Sequence, residues 1–191
     1  AFPTEALTHQ PMSAVLNLMQ KESLVAEDLA KIHIQTTARG ADILSDPSKY
    51  DPQTKETADH SLPYCLAAAA ADGGVYPNSF EQEKLFDPRI RTLLGKIEVV
   101  ANDEIDAMFP GTKRAIATIT TNDGREFVET VDHAKGSPEN PLSDDELIAK
   151  FRANSEAVID TARQDEIIEA TWGFEKYGDV GEYMKLLVSQ K

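Results

Sequence analysis

The sequence predicts an α+β fold, and three observations carry that expectation. Residues Ala115 to Thr121 and Phe127 to Val131 are two runs of alternating apolar and polar side chains around Asn122-Asp123-Gly124, the pattern of a β-hairpin. Ile32, Ile34 and Thr36 alternate with His33 and Gln35 as in a strand with one buried face, which turns His33 away from the core. Ser143 followed three residues later by Glu146 is a capping box that opens an all-helical tail. The expected organisation is therefore a small mixed helix and sheet domain over 1–135, followed by a C-terminal helical segment over 136–191. The boundary is Gly136-Ser137-Pro138-Glu139-Asn140-Pro141.

Along the chain, Pro11 precedes Met12, Ala14, Val15, Leu16, Leu18 and Met19 at helical spacing. A proline suits the first turn of a helix, because its missing N–H has no partner there. Thr8, His9 and Gln10 then sit at a helix N-terminus, where unpaired N–H groups and the dipole favour an anion. Residues 38 to 56, with Gly40, Pro47 and Pro52, read as a long loop, a candidate lid. Thr57 to Ala71 reads as one buried helix with an alanine face, stopped by Asp72-Gly73-Gly74. Asp87-Pro88 opens a short helix through Leu94, and Ile97, Val99 and Val100 form a strand after it. Beyond the capping box, Ile159 to Trp172 and Val180 to Val188 are two further helices.

Composition removes several function classes. With 19 Lys and Arg against 33 Asp and Glu, the net charge of −14 repels phosphate backbones, and no basic run offsets it. The longest uncharged stretch, Ser61 to Ala71, contains Pro63 and is far shorter than the roughly 20 apolar residues of a bilayer span. Neither a nucleic-acid nor a membrane partner is expected. A single cysteine, Cys65, excludes an internal disulfide and any site built on several thiolates. That points to a reducing, cytoplasmic setting. Phosphate-binding, dinucleotide, zinc-protease and nucleophile-elbow motifs are absent.

What remains is a short set of titratable and polar side chains. His9 lies beside a helix N-terminus, where an imidazole is either a capping group or a proton shuttle. Tyr50 in the predicted loop and Tyr64 in the alanine helix are either packing residues or phenols set against a substrate carboxylate. Ser61 is either a helix cap or a substrate contact. Lys55 and Lys135 are loop cations able to meet a carboxylate. Cys65, amid Leu66 and alanines, reads as an inert buried thiol.

Three stretches add a resemblance. Phe2-Pro3-Thr4-Glu5-Ala6-Leu7-Thr8-His9, then Asp59-His60-Ser61-Leu62-Pro63-Tyr64-Cys65-Leu66-Ala67 through Asp72-Gly73, and Gly136-Ser137-Pro138-Glu139-Asn140-Pro141-Leu142-Ser143 through Glu146-Leu147 and Lys150-Phe151 resemble, in order and spacing, segments of the MmgE/PrpD family. That family includes 2-methylcitrate dehydratases and cis-aconitate decarboxylases. The resemblance implies the C-terminal part of a longer protein, whose N-terminal all-α domain supplies much of the active site and packs against the helical tail.

The resemblance also implies a chemistry: cofactor-free dehydration, decarboxylation or epimerisation of a small di- or tricarboxylic acid, in a homodimer. It places the catalytic histidine of the TH pair on His9 and an active-site tyrosine on Tyr50, with Tyr64 as the other candidate. Thr8, Lys55, Ser61, Tyr64 and Lys135 are the expected substrate contacts, and neither a cofactor nor a metal is required. Position 1 is Ala1 where the family commonly has lysine. Two other readings stand beside this one, a catalytically silent lid and oligomerisation module and an unrelated α+β ligand-binding domain. The first leaves apolar surface exposed on the tail helices, so the chain alone should self-associate.

Overall fold

The computed structural model describes residues 1–188. The chain divides into two compact units, Ala1–Pro141 and Leu142–Lys191, a mixed α/β unit and a helical one. Gly136 to Asn140 belongs to the first unit. There the Gly136 N–H donates to the Asn140 carbonyl at 2.8 Å, and the Asn140 side chain donates to the His133 carbonyl at 3.1 Å.

The first unit opens with a 3₁₀ turn, Ala6–Thr8, that runs directly into α1, His9–Lys21. Pro11 lies in the first turn of α1, and Met12, Ala14, Val15 and Leu18 are buried on its inner face. The chain reverses over residues 22 to 28 and enters β1, Leu29–Thr36. Ile32, Ile34 and Thr36 of β1 point inward, while His33 lies on the opposite face.

The segment expected as a loop over 38–56 is mostly helical. It holds α2, Ala38–Leu44, a 3₁₀ turn over Pro47–Tyr50, and the start of α3, Lys55–Ala58. Each piece begins at a side-chain cap: Thr37 accepts from Gly40 N–H, Asp46 from Ser48 N–H and Thr54 from Thr57 N–H. Gly40 serves a close approach and not a break. A Cβ there would lie 3.2 Å from the Thr36 and Thr37 side chains. The single helix expected over 57–71 is also two, α3 and α4, Leu62–Asp72. Ser61 caps α4, Pro63 occupies its first turn, and Gly73 ends it with φ of 74°.

After a 3₁₀ turn at Pro77–Phe80 come α5, Gln82–Leu85, and α6, Pro88–Leu94. They are followed by β2, Ile97–Ala101, α7, Asp103–Met108, and the hairpin of β3, Ala115–Thr121, and β4, Glu126–Val131. The strand order is β2-β1-β3-β4, with β1 and β2 parallel and the other pairs antiparallel. Helix α1 packs against β3 and β4, and α4 packs against α1, α6 and β2. The smooth side of α4, Ala67 to Ala70, is buried in the cluster that also holds Met12, Val15, Ile32, Ile34, Ala117 and Ile119. Alanines at these positions let the α4 backbone come close to its neighbours.

The second unit contains α8, Asp144–Ser155, α9, Thr161–Trp172, and α10, Val180–Leu186. The predicted capping box is present. Ser143 Oγ accepts from Glu146 N–H at 3.2 Å, and the Glu146 carboxylate accepts from Ser143 N–H at 2.7 Å. Gln164 joins α9 to α8 by donating to the Arg152 carbonyl and to Ser155 Oγ, each at 3.0 Å. Leu147, Trp172, Met184 and Leu187 nevertheless stay exposed.

Candidate functional site

His9 is half-buried at the mouth of α1 and is oriented by the residues of its own motif. The Phe2 ring meets it edge to face, with centroids 5.5 Å apart and planes at 86°. Nε2 lies 3.3 Å from the Thr4 carbonyl oxygen. A carbonyl only accepts, so a hydrogen bond there needs the proton on Nε2, and the neutral ring then carries its lone pair on Nδ1. The helix N-terminus itself is less open than expected, because the 3₁₀ turn lets the His9 N–H donate to the Ala6 carbonyl.

Thr8 does not fit the role of substrate contact. It is fully buried, its hydroxyl donates to the Glu5 carbonyl at 2.7 Å, and it shares a hydrogen bond with the Thr4 hydroxyl at 2.8 Å. It folds the FP-x(4)-TH segment into the turn that presents His9. Glu5 adds to that turn by accepting from Leu7 N–H at 2.6 Å, and its own N–H donates to the Asp59 carbonyl at 3.2 Å. The lead into α1 is thereby tied to the lead into α4.

Ser61 and Tyr64 are likewise internal. Ser61 is fully buried, accepts from Tyr64 N–H at 3.0 Å and donates to the Lys49 carbonyl at 2.6 Å. Tyr64 is fully buried and donates its hydroxyl to the Ser79 carbonyl at 2.7 Å. Burial pushes its phenol far above the ordinary range. Both read as fold-building residues, so Tyr50 is the tyrosine left as a candidate.

Tyr50 is half-buried at the end of the 3₁₀ turn and lies against β2. Burial raises its pKa above 10.0, opposed by the Val99 backbone N–H and reinforced by the Glu98 charge. Such a phenol stays protonated at neutral pH and acts as a donor, not as a base. Lys55 is exposed at the first turn of α3, and Lys135 is half-buried after β4. Cys65 is buried, its Sγ lies 3.5 Å from the Ala58 carbonyl, and burial drives its thiol pKa far up, which makes it inert.

The geometry gathers the motif around His9 and the entry to α4 at one end of the α1–α4 pair. A groove of about 530 Å³ lies at the other end, lined by Leu16, Met19, Leu24, Ala70 and Gly73. Leu16 and Met19 lie about 10 and 15 Å along α1 from His9, and His9 is not among the residues that line the groove. Among the described residues, no group of three or more His, Cys, Asp or Glu is placed to hold a metal ion. No described helix is long and apolar enough to cross a membrane.

Arg91 carries no signal of its own in the sequence. Its guanidinium donates to Leu85 O at 2.7 Å, Asp51 Oδ1 at 2.5 Å and Pro52 O at 2.8 Å, and it stacks over the Phe86 ring at 4.9 Å. Nothing in the short helix around Arg91 signals contacts with residues 39 and 40 positions away.

Comparison with known proteins gives this arrangement a context. The chain is 26% identical to the cis-aconitate decarboxylase of Mus musculus over 98% of its own length, and 27% identical to that of Homo sapiens over 97%. It is 24% identical to the cis-aconitate decarboxylase of Aspergillus terreus over 95%. In each case it spans 38% of the relative's length. The family model of the MmgE/PrpD C-terminal domain matches residues 2–174, which includes the His9 motif, the α4 entry and the capping box. This chain belongs to the MmgE/PrpD C-terminal domain family.

Proposed function

We propose that the chain is the C-terminal portion of a cofactor-independent lyase or isomerase acting on a small di- or tricarboxylic acid, with decarboxylation of a cis-aconitate-like acid as the first reaction to test. The observation that carries this reading is His9, held at the mouth of α1 by Phe2 and Thr4 within a matched family domain. An imidazole exchanges protons near neutral pH, as the chemistry requires. When the C–C bond to a departing carboxylate breaks, its electron pair stays on the carbon skeleton and carbon dioxide leaves. His9, having taken up a proton from solvent on Nδ1, delivers that proton to the carbanion and returns to the neutral ring. Tyr50, kept protonated, donates a hydrogen bond to a substrate carboxylate, and Lys55 and Lys135 add positive potential in a strongly acidic chain.

The remainder of the site would come from an N-terminal helical region, and the assembled enzyme would be a cytoplasmic homodimer. The test is His9→Gln in the completed protein, assayed by carbon dioxide release from cis-aconitate. Turnover should fall by about two orders of magnitude or more. A variant with near-parental turnover removes His9 from the mechanism.

The exposed apolar residues of the second unit favour one further reading, in which these residues form a silent lid and contact module. Assaying the chain alone and again after adding the helical half separates the two. Activity in the isolated chain rules the silent module out.

A further inference from the structure

The turn that carries Tyr50 is held from both sides. On its N-terminal side, Ser61 Oγ donates to the Lys49 carbonyl at 2.6 Å, and Ser61 is fully buried at the start of α4. On its C-terminal side, Arg91 reaches from α6 to Asp51 Oδ1 at 2.5 Å and Pro52 O at 2.8 Å. Arg91 is fixed in turn by Leu85 O and by the Phe86 ring. Asp46 caps the turn by accepting from Ser48 N–H at 2.9 Å, and Gln53 donates to the Asp51 carboxylate at 2.7 Å. The residues on either side of Tyr50 are therefore anchored to α4 and α6, two helices that pack on each other. A planar guanidinium with three separately directed contacts sets a direction that an ammonium cannot reproduce.

We propose that Arg91 and Ser61 are positioning residues, a two-sided clamp that holds the Tyr50 phenol at the angle from which it donates to substrate. The proposal rests on the assignment of Tyr50 as that donor. It makes a reaction-level demand on residues that touch no substrate. Loosening the clamp should slow the step that uses the phenol and leave substrate capture mostly intact, because a misplaced donor costs transition-state stabilisation first.

The experiment is a double-mutant cycle in the completed enzyme with cis-aconitate, using Tyr50→Phe, Arg91→Lys and their combination. Arg91→Lys should lower kcat about tenfold with KM changed about twofold or less, and should lower kcat by no more than about twofold when Tyr50 is already Phe. Asp51→Asn serves as the second variant. Asp51 is exposed, so this change should leave folding intact while stripping the charge from one arm of the clamp and weakening it; combined with Arg91→Lys it should show the same dependence on Tyr50. An independent readout is the titration of ¹³Cζ-labelled tyrosine in the same completed enzyme, with the Tyr50 signal assigned by its loss in Tyr50→Phe. Arg91→Lys should bring that signal back towards ordinary tyrosine behaviour. A slow Tyr50→Phe enzyme in which the Arg91 effect is undiminished, or an unmoved Tyr50 titration, overturns the clamp alone. A Tyr50→Phe enzyme with parental kcat overturns the donor assignment and the clamp with it.

Discussion

Tyr64 and Asp132 show how far single side chains can be separated into those that build the fold and those that respond to solvent. Tyr64→Phe leaves the buried Ser79 carbonyl without its donor. It should cost about 1–2 kcal/mol in denaturant unfolding of the chain while leaving turnover of the completed enzyme unchanged. Asp132 is paired with Arg114, whose Nη2 lies 2.8 Å from one carboxylate oxygen, and that pairing holds its carboxyl below the ordinary value of 3.8. A carboxylate with a depressed folded pKa contributes stability above its unfolded pKa and loses it as pH falls through the folded one. The pair is partly exposed, so the contribution is small. Unfolding curves of the parent and Asp132→Asn should therefore differ at neutral pH and converge once pH drops well below 3.8. Persistence of the difference at low pH would refute the pairing as its cause.

Helix α4 packs against α1, α2, α6, β2 and the 3₁₀ turn at Pro47–Tyr50. Ala67 and Ala68 are fully buried in the core cluster. Ala67→Leu should destabilise the chain by about 1–3 kcal/mol, read as a lower unfolding midpoint with an unchanged denaturant slope. Elements like the β3–β4 hairpin were legible in the sequence because a period-two pattern and an Asn-Asp-Gly turn are local signals. The α1 start, and with it the placement of His9, was legible from Pro11 and the apolar spacing. Helix α2 was not, since Gly40 serves contact with Thr36 and Thr37 and looks from sequence like a breaker. The internal role of Thr8 was equally hidden, whereas Ser61 as a helix cap and Tyr64 as a packing residue were each one of two alternatives the sequence left open, with only their carbonyl partners out of sight. Each depends on a carbonyl whose position only the folded chain fixes, and Tyr50 is held through Arg91, 40 residues from Asp51.

For the molecule as a whole, the two units differ in how completely each buries its own apolar residues. The first encloses a continuous core, whereas the second leaves Trp172 53% and Met184 52% exposed. The isolated chain should therefore scatter light in a concentration-dependent way, and Trp172→Glu should reduce that association without lowering the stability of the sheet-bearing unit. The close pairing of α1 and α4 has its own effect on how a catalytic cycle could run. Their N-terminal leads share the Glu5–Asp59 hydrogen bond, and Ser61 ties the Lys49 carbonyl to the same corner. The supports of the imidazole and the phenol are thus tied together through one hydrogen-bonded corner. If His9 and Tyr50 act as proposed, an opening or shutting around substrate would carry imidazole and phenol together, so that acid and donor arrive or withdraw in one movement.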